Sequence, residues 1–274
     1  MTETAFICET CGTQHTPSEQ PPDSCPICVD ERQYVGPDGQ CWTTLGELRA
    51  GHRADIREED RGLTGIGARP AFGIGQRALL VQTPAGNVLW DCTALLDDEI
   101  TEAVRQRGGV AAIAISHPHF YTSMVEWSRA FDAPIHLHRA DRAWVMRPDE
   151  AIRFWDGEQH ELVPGITLLR LGGHFAGGTV LHWAQGADGA GTLLSGDIIQ
   201  VVPDRGWVSF MRSYPNLIPL PAATVGEIVA ALAAWPFERL YGGWFGRVVD
   251  AEAGAAVRRS ADRYRRALTA GFAD

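Results

Sequence analysis

The chain has 274 residues, of which 45% are hydrophobic, and its formal net charge is −10. This length and apolar content can bury a full-sized core, so we expect one large domain, with or without a small appendage. The acidic balance argues against a nucleic-acid-binding protein, because such proteins neutralise phosphates with basic residues. All 24 basic residues are arginines, which excludes a P-loop lysine and a Schiff base on lysine.

The N-terminal segment differs from the rest of the chain in composition. Residues 1–41 hold seven acidic residues against one arginine, and five of the six cysteines. Turn-forming residues then give way to a helical stretch between Cys41 and Gly51. The shift predicts a small module at residues 1–45, followed by a domain at residues 46–274.

Four cysteines of this module form two CxxC pairs, Cys8/Cys11 and Cys25/Cys28, with 13 residues between the pairs. Two such pairs can present four thiolates to one tetrahedral metal ion, and a segment this short needs an organiser to fold. The alternatives are unconnected cysteines or a redox pair. The segment resembles a zinc ribbon, and its CxxCG…CPxC pattern is also similar to rubredoxin. Zinc is therefore the first choice of metal and iron the second.

The rest of the chain alternates sequence patterns typical of strands and of helices. Strands are expected at Phe72–Gln82 and Asn87–Cys92, joined by a hairpin-like turn, and then at 110–116, 134–138, 179–184, 192–195 and 240–242, with one or two in 160–171. Helices are expected at 97–107, 124–131, 222–234 and 251–269. Hairpin groups of strands followed by helices favour a two-sheet α/β sandwich over a doubly wound parallel sheet.

Candidate metal ligands follow three of the apolar strands. His117 and His119 come directly after 110–116, His174 lies in a glycine-rich loop after 160–171, and Asp197 follows 192–195. An HxH pair alone is a weak signal, because two loop histidines are common. Three histidines and one carboxylate at strand ends, however, make a plausible ligand set for zinc or a similar metal.

The order HPHFYT, GGHFAGG and SGD resembles the metallo-β-lactamase superfamily, and the strand ending in LWDC is similar to an early strand of that family. The resemblance covers roughly residues 60–250. It implies a four-layer αββα sandwich with a metal site at one edge. It also implies hydrolysis by a metal-bound hydroxide, since the metal lowers the pKa of its water.

The chain departs from the superfamily at the second metal site. Tyr121 and Thr122 stand where the family motif HxHxDH has its aspartate and last histidine, and Trp244 takes the place of a C-terminal histidine. The first-site ligands His117, His119 and His174 remain, together with the bridging Asp197. Because one carboxylate does not hold a second ion firmly, we expect a mononuclear site. Asp197 would ligate the metal or act as a general base, and Tyr121 would hydrogen-bond a metal-bound oxygen or block the second site.

Two classes of function follow. The first is a metal-dependent hydrolase of a small ester, thioester or lactone, using a water bound at the tri-histidine site. The second is a non-hydrolytic or redox-linked metal protein, since flavodiiron proteins join this fold to rubredoxin-like modules; against it stand the missing second-site ligands. The expected partner is a small-molecule substrate, and we expect binding to neither nucleic acid nor membranes. A homo-oligomer is also possible. No targeting segment or apolar run of about 18 residues is visible, so the cytoplasm is the expected location.

Overall fold

The computed structural model describes residues 3–269. Its backbone divides into two compact units, one ending at Trp155 and the other beginning at Asp156. The N-terminal segment 1–45 belongs to the first unit by this division, and its status as a separate module stays a prediction. Within residues 3–269, no helix combines the length and apolarity needed to span a bilayer.

The first unit contains a two-stranded and a seven-stranded sheet. The small antiparallel sheet pairs β1 (Ile7–Cys8) with β2 (Trp42–Thr43). The large sheet holds its strands in sequence order: β3 (Arg53–Asp60), β4 (Leu63–Arg69), β5 (Ala78–Val81), β6 (Val88–Trp90), β7 (Ala112–Ala114), β8 (Ile135–His138) and β9 (Ile152–Trp155). The helices are α1 (Pro26–Val29), α2 (Leu45–Gly51), α3 (Asp98–Gln106) and α4 (Met124–Phe131), with 3₁₀ turns at Pro118–Phe120 and Arg139–Trp144.

The large sheet changes direction at β6. Strands β3 to β6 pair antiparallel, whereas β6 to β9 pair parallel. Parallel neighbours need crossover connections, and α3 and α4 supply two of them. The side chain of Asp97 accepts the backbone N–H of Ile100 and so caps α3, an arrangement that typically stabilises a helix by about 1 kcal/mol. The carboxyl ends of β6, β7 and β8 therefore lie at one edge of the sheet.

The second unit is built on a six-stranded sheet and two longer helices. The sheet has the order β10 (Gln159–Val163), β11 (Ile166–Arg170), β12 (Thr179–Trp183), β13 (Thr192–Gly196), β18 (Arg239–Gly242) and β19 (Val248–Val249). Two small hairpins come between β13 and β18: β14 (Gln200–Val201) with β15 (Val208–Ser209), and β16 (Met211–Ser213) with β17 (Ile218–Pro219). Helices α5 (Ala222–Leu232) and α6 (Ala253–Thr269) pack on a core of aliphatic side chains that includes Leu193, Val225 and Val257.

Most expected elements form, and most of their bounds lie within two residues of the expected ones. The hairpin of β5 and β6, the helices α3 to α6, and the strands β7, β8, β10 to β13 and β18 lie where their patterns predicted them. The strand β9 and the short strands β14 to β17 were not predicted. The expected strand Phe72–Gln82 is wrong in its first half, because only Ala78–Val81 is extended. Gly73 and Gly75 adopt positive φ there and make a turn. The long hairpin of β3 and β4 was not anticipated, since its strands are polar or glycine-rich.

Candidate metal centres

The four cysteines of the CxxC pairs converge in the first unit and form what we call the four-cysteine cluster. The Sγ atoms of Cys8, Cys11, Cys25 and Cys28 all lie within 4.8 Å of one another and are buried. The distance is 3.5 Å between the sulfurs of Cys8 and Cys28, and 3.8 Å between those of Cys11 and Cys25. A disulfide needs about 2.05 Å, whereas a tetrahedron with metal–sulfur bonds of about 2.3 Å has edges of about 3.8 Å. The cluster therefore fits one metal ion and not a pair of disulfides.

The chemistry of the thiols supports the same conclusion. Hydrogen bonding to Cys11 lowers the pKa of the Cys8 thiol to about 7. Hydrogen bonding to Cys25, together with burial, raises the pKa of Cys11 well above its ordinary value. Four sulfurs this close cannot all become thiolates unless a cation compensates their charge, and bound metals supply that charge.

Polar groups around the cluster hold the sulfurs in place. The side-chain amide of Gln40 donates to Cys8 Sγ at 3.0 Å, and its oxygen accepts the backbone N–H of Cys25 at 3.2 Å. His15 is buried with its ring edge-on to Trp42 at 4.8 Å. Outer groups of this kind orient metal ligands. Of the two remaining cysteines, Cys92 is buried and Cys41 is exposed.

His117 and His119 lie on a short loop that follows β7. The 3₁₀ turn Pro118–Phe120 begins directly after His117, and the two imidazole rings are 5.0 Å apart in an edge-to-face arrangement. Both side chains are buried. The loop stands at the carboxyl edge of the parallel strands, where ligands of open α/β sheets typically bind.

A hydrogen-bonded chain fixes the ring of His117. The carboxylate of Asp91, which follows β6, accepts both the backbone N–H and the hydroxyl of Ser116, each at 2.7 Å. The serine hydroxyl has one proton and gives it to the carboxylate, so it must accept from Nδ1 of His117, 2.9 Å away. Nδ1 therefore carries the ring proton, and the lone pair of Nε2 is available to a metal. Nothing in the sequence singled out Ser116, although LWDC, which contains Asp91, belonged to the family resemblance.

His174 and Asp197 form the corresponding pair in the second unit. His174 lies in the loop between β11 and β12, and its Nδ1 is 3.1 Å from the backbone oxygen of Met211. A carbonyl only accepts, so Nδ1 donates and Nε2 presents its lone pair. Nε2 lies 4.0 Å from Oδ1 of Asp197, somewhat longer than the edge of about 3.4 Å that a tetrahedron with bonds of about 2.1 Å would have.

Burial governs the charge state of Asp197. The carboxylate lies at the end of β13 and burial raises its pKa, while the neighbouring His174 opposes the rise. A carboxylate with a raised pKa accepts a proton more readily than an exposed one. The position thus suits either metal ligation or proton transfer.

The three positions that depart from the superfamily motif also follow strands of the two large sheets. Tyr121 is 2% exposed, and burial, together with the charge of Asp141, raises its pKa well above the ordinary value, which keeps the phenol protonated. Thr122 is buried with a positive φ. Trp244 follows β18, whose Gly242 pairs in register with Gly196 beside Asp197. None of the three offers a metal ligand comparable to imidazole or carboxylate.

Two other histidines, His138 and His182, make hydrogen bonds to the backbone and serve in packing. Nδ1 of His138 accepts the backbone N–H of Ala140 and caps the following 3₁₀ turn, and its ring packs edge-on against Trp155. His182 contacts the carbonyl oxygen of Pro236 through Nε2 at 2.7 Å, as expected for a mid-strand histidine with a packing role.

Comparison with known proteins assigns the chain to a family. It is 52% identical over 265 residues to the uncharacterised protein YmaE of Bacillus subtilis (strain 168), covering 96% of each chain. The chain belongs to the YmaE family. No protein-family model matches it.

Solved structures resemble this YmaE-family chain in fold. DIM-1 metallo-β-lactamase superposes with a TM-score of 0.57 at 11% identity, covering 78% of this chain and 98% of the other. VMB-1 gives a TM-score of 0.60 at 9% identity, with coverage of 79% and 99%. A B3 metallo-β-lactamase with an active-site glutamic acid gives 0.52 at 18% identity, with coverage of 76% and 86%. The fold is that of the metallo-β-lactamases, and the expected α/β class is confirmed.

Proposed function

We propose that this YmaE-family chain is a metal-dependent hydrolase of a small ester, thioester or lactone. Three histidines and one aspartate on a metallo-β-lactamase fold carry the proposal. Each sits after a strand, each is buried, and hydrogen bonds at Nδ1 leave the Nε2 lone pairs of His117 and His174 available to a metal. The fold supports this interpretation, because its solved members include metallo-β-lactamases.

We propose that His117, His119 and His174 together hold one ion, with Asp197 beside it. Three imidazoles and an open position form a known arrangement of catalytic zinc, and zinc is our first choice, with iron the alternative. When bound, such an ion supplies a water of lowered pKa and polarises a substrate carbonyl. Tyr121, Thr122 and Trp244 leave Asp197 without the partners that a second ion would need, so the site is mononuclear.

The remaining steps belong to side chains of the protein. We propose that Asp197 accepts a proton from the attacking water, a role that suits a carboxylate whose pKa is raised by burial. Tyr121 keeps its proton and so acts only as a hydrogen-bond donor, toward an oxygen of the bound substrate. In the alternative, its ring only fills the space of the lost second site.

A substrate panel tests the proposal. Activated esters, thioesters and lactones are assayed with the zinc-loaded wild type, with His119→Ala and with His160→Ala as a matched control on the edge strand β10. We expect turnover of at least one class, retained in the control and lost by at least roughly 100-fold in His119→Ala. Equal residual rates in wild type and His119→Ala would show that the activity does not come from this site.

The second candidate is a non-hydrolytic, redox-linked metal protein. The observation in its favour is the four-cysteine cluster, whose geometry suits iron as well as zinc. An absorbance spectrum of the purified protein separates the two, because ferric iron bound by four thiolates is coloured and zinc is not. A protein that is colourless in its oxidised form contains no ferric iron at the cluster, and this removes the redox candidate.

The partner and location remain proposals. We propose a small-molecule substrate and a cytoplasmic protein that binds neither nucleic acid nor membrane. The acidic balance and the absence of lysine support this, since polyanionic partners require basic surfaces. A homo-oligomer is left open, and gel filtration with light scattering measures it directly.

A further inference from the structure

We infer that the four-cysteine cluster anchors the histidine loop, defined as residues 117–122, so that a metal ion held by the cysteines positions His119. The inference rests on the proposed function only in taking His119 as a metal ligand. The contacts that carry it all lie within the first unit. Neither the metallo-β-lactamase resemblance nor the cysteine spacing suggests such a link.

The first contact runs through the side chain of Gln76, which is 6% exposed. Its Nε2 lies 3.4 Å from the backbone oxygen of Cys11 and 3.4 Å from the backbone oxygen of His119. A glutamine amide has two N–H donors, one for each of these carbonyls. A single side chain therefore ties the backbone of a cysteine ligand to the backbone of a histidine ligand.

The second contact is made by Gln14, three residues after Cys11. Its backbone N–H donates to the backbone oxygen of Thr122 at 3.0 Å. Its side chain is held in turn by Arg147. Thr122 has a φ of 39°, a left-handed conformation that a β-branched residue adopts only when its surroundings impose it.

The third contact is steric. Gly12 has a φ of 81°, and a Cβ atom there would lie 3.4 Å from Cγ2 of Thr122. A Cβ atom on Gly73 would lie 3.2 Å from the backbone carbon of Cys11. The first CxxC turn is thus in close contact with both Gly73 and the histidine loop, so a shift of the turn changes these contacts.

The shape of that turn depends on its cysteines. Gly12 donates its N–H to the carbonyl of Cys8 at 2.8 Å, and Cys8 donates to Thr13 at 2.9 Å. The regular elements around the turn are short: the two-residue strands β1 and β2, the four-residue helix α1 and isolated bridges such as Ile7 with Gln14. Elements this short gain their stability from a bound metal. Metal binding by the cysteines therefore fixes the turn, and Gln76 and Gln14 transmit its position to the loop.

The test uses the full-length, zinc-loaded protein and the variant Gln76→Leu, which removes both donors and keeps the side chain's size. The matched control is Gln82→Leu, because Gln82 also donates its amide to a carbonyl, that of Arg107 at 3.3 Å, away from both sites. Hydrogen exchange is followed by mass spectrometry on peptides that cover residues 117–122, and zinc affinity by competition with a chromophoric chelator.

We expect Gln76→Leu to accelerate hydrogen exchange at the amides of Phe120 and Tyr121. We also expect it to lower the affinity for one of the two zinc ions by about three- to tenfold, the range expected for the loss of one or two hydrogen bonds. The affinity for the other ion should be unchanged, and Gln82→Leu should match the wild type in both measurements. If Gln76→Leu matches Gln82→Leu in both measurements, the inference is wrong. The exchange measurement involves no turnover, so a chain without hydrolase activity would overturn the proposed function and leave this test decisive.

A second arm removes the anchor itself. Cys11→Ser weakens the cysteine site, and we expect protection to fall at residues 117–122 as well as at the cysteines. Because this variant can also unfold the N-terminal segment, its result is read together with Gln76→Leu, in which all four cysteines remain. Loss of protection confined to the cysteine peptides would contradict the coupling.

Discussion

The four-cysteine cluster and the histidine–aspartate groups are both candidate metal-ligand sets, yet they are built in different ways. The four cysteines come from one short stretch, Cys8 to Cys28, and their four sulfurs, all within 4.8 Å of one another, suit a tetrahedral shell around one ion. The histidines and Asp197 come from the ends of separate strands, and in the proposed arrangement three imidazoles leave a position open. A closed shell of thiolates is typical of structural metal sites, and an open set of imidazoles is typical of catalytic ones.

The largest expected effect comes from breaking the closed shell. Cys28→Ser should remove one metal equivalent and unfold residues 3–43, because the binding free energy of a structural zinc, about 10–16 kcal/mol, is folding free energy. Elemental analysis and hydrogen exchange measure both effects. The control Cys41→Ser, at an exposed cysteine outside the cluster, should keep its metal content. A Cys28→Ser protein with full metal content and wild-type protection would show that the cluster is not a metal site.

Breaking the open set should leave the fold intact. His174→Ala is expected to lower the zinc content from two ions per chain to one and to abolish turnover, with a thermal midpoint close to that of the wild type. The reason is that its strand neighbours, not a metal, hold the loop between β11 and β12. Elemental analysis and thermal unfolding measure the outcome. Three ions in the wild type would contradict the mononuclear interpretation.

A smaller effect is expected from changing a side chain that hydrogen-bonds a histidine ring. Ser116→Ala removes the link between Asp91 and Nδ1 of His117, so the ring loses its fixed tautomer. Removing such partners typically weakens metal affinity about 10- to 100-fold. Chelator competition measures it. Ser128→Ala is the matched control, since that buried hydroxyl also donates to an acceptor, the carbonyl of Ala133 at 2.7 Å, but touches no ligand. Equal affinities in the two variants would exclude the orienting role.

The same contrast explains how far the sequence could predict the molecule. The cysteine site was predictable because its ligand spacing is local: each CxxC turn carries two sulfurs wherever it folds. The histidines and Asp197 were predictable as strand-end residues, and the family resemblance ordered them. The assembly of these four around one ion remains a proposal, and so do the roles of Asp197 and Tyr121.

The supporting groups were not predictable from local patterns. Ser116, the carbonyl of Met211 and Gln76 act through partners distant in the chain or through the geometry of strand ends, which no periodicity encodes. The misplaced strand at Phe72–Gln82 has the same origin. Its apolar run continues through Phe72 and Ile74, but contact with the backbone of Cys11 favours a glycine turn there. Tertiary packing decided these positions.

The smallest expected effect concerns Tyr121, the residue in place of the superfamily's aspartate. Burial raises the pKa of the phenol, and the charge of Asp141 raises it further. The phenol therefore stays protonated to a higher pH than an ordinary tyrosine, whose pKa is about 10, and it does not titrate near neutrality. If its hydroxyl donates to the substrate, Tyr121→Phe should keep both zinc ions and lower kcat/KM about tenfold, the value of one hydrogen bond to a developing charge. The factor should be constant between about pH 6 and 9, because the phenol gains or loses no proton there. An unchanged kcat/KM would assign Tyr121 to filling the lost second site, and a pH-dependent factor would mean that another group titrates with it.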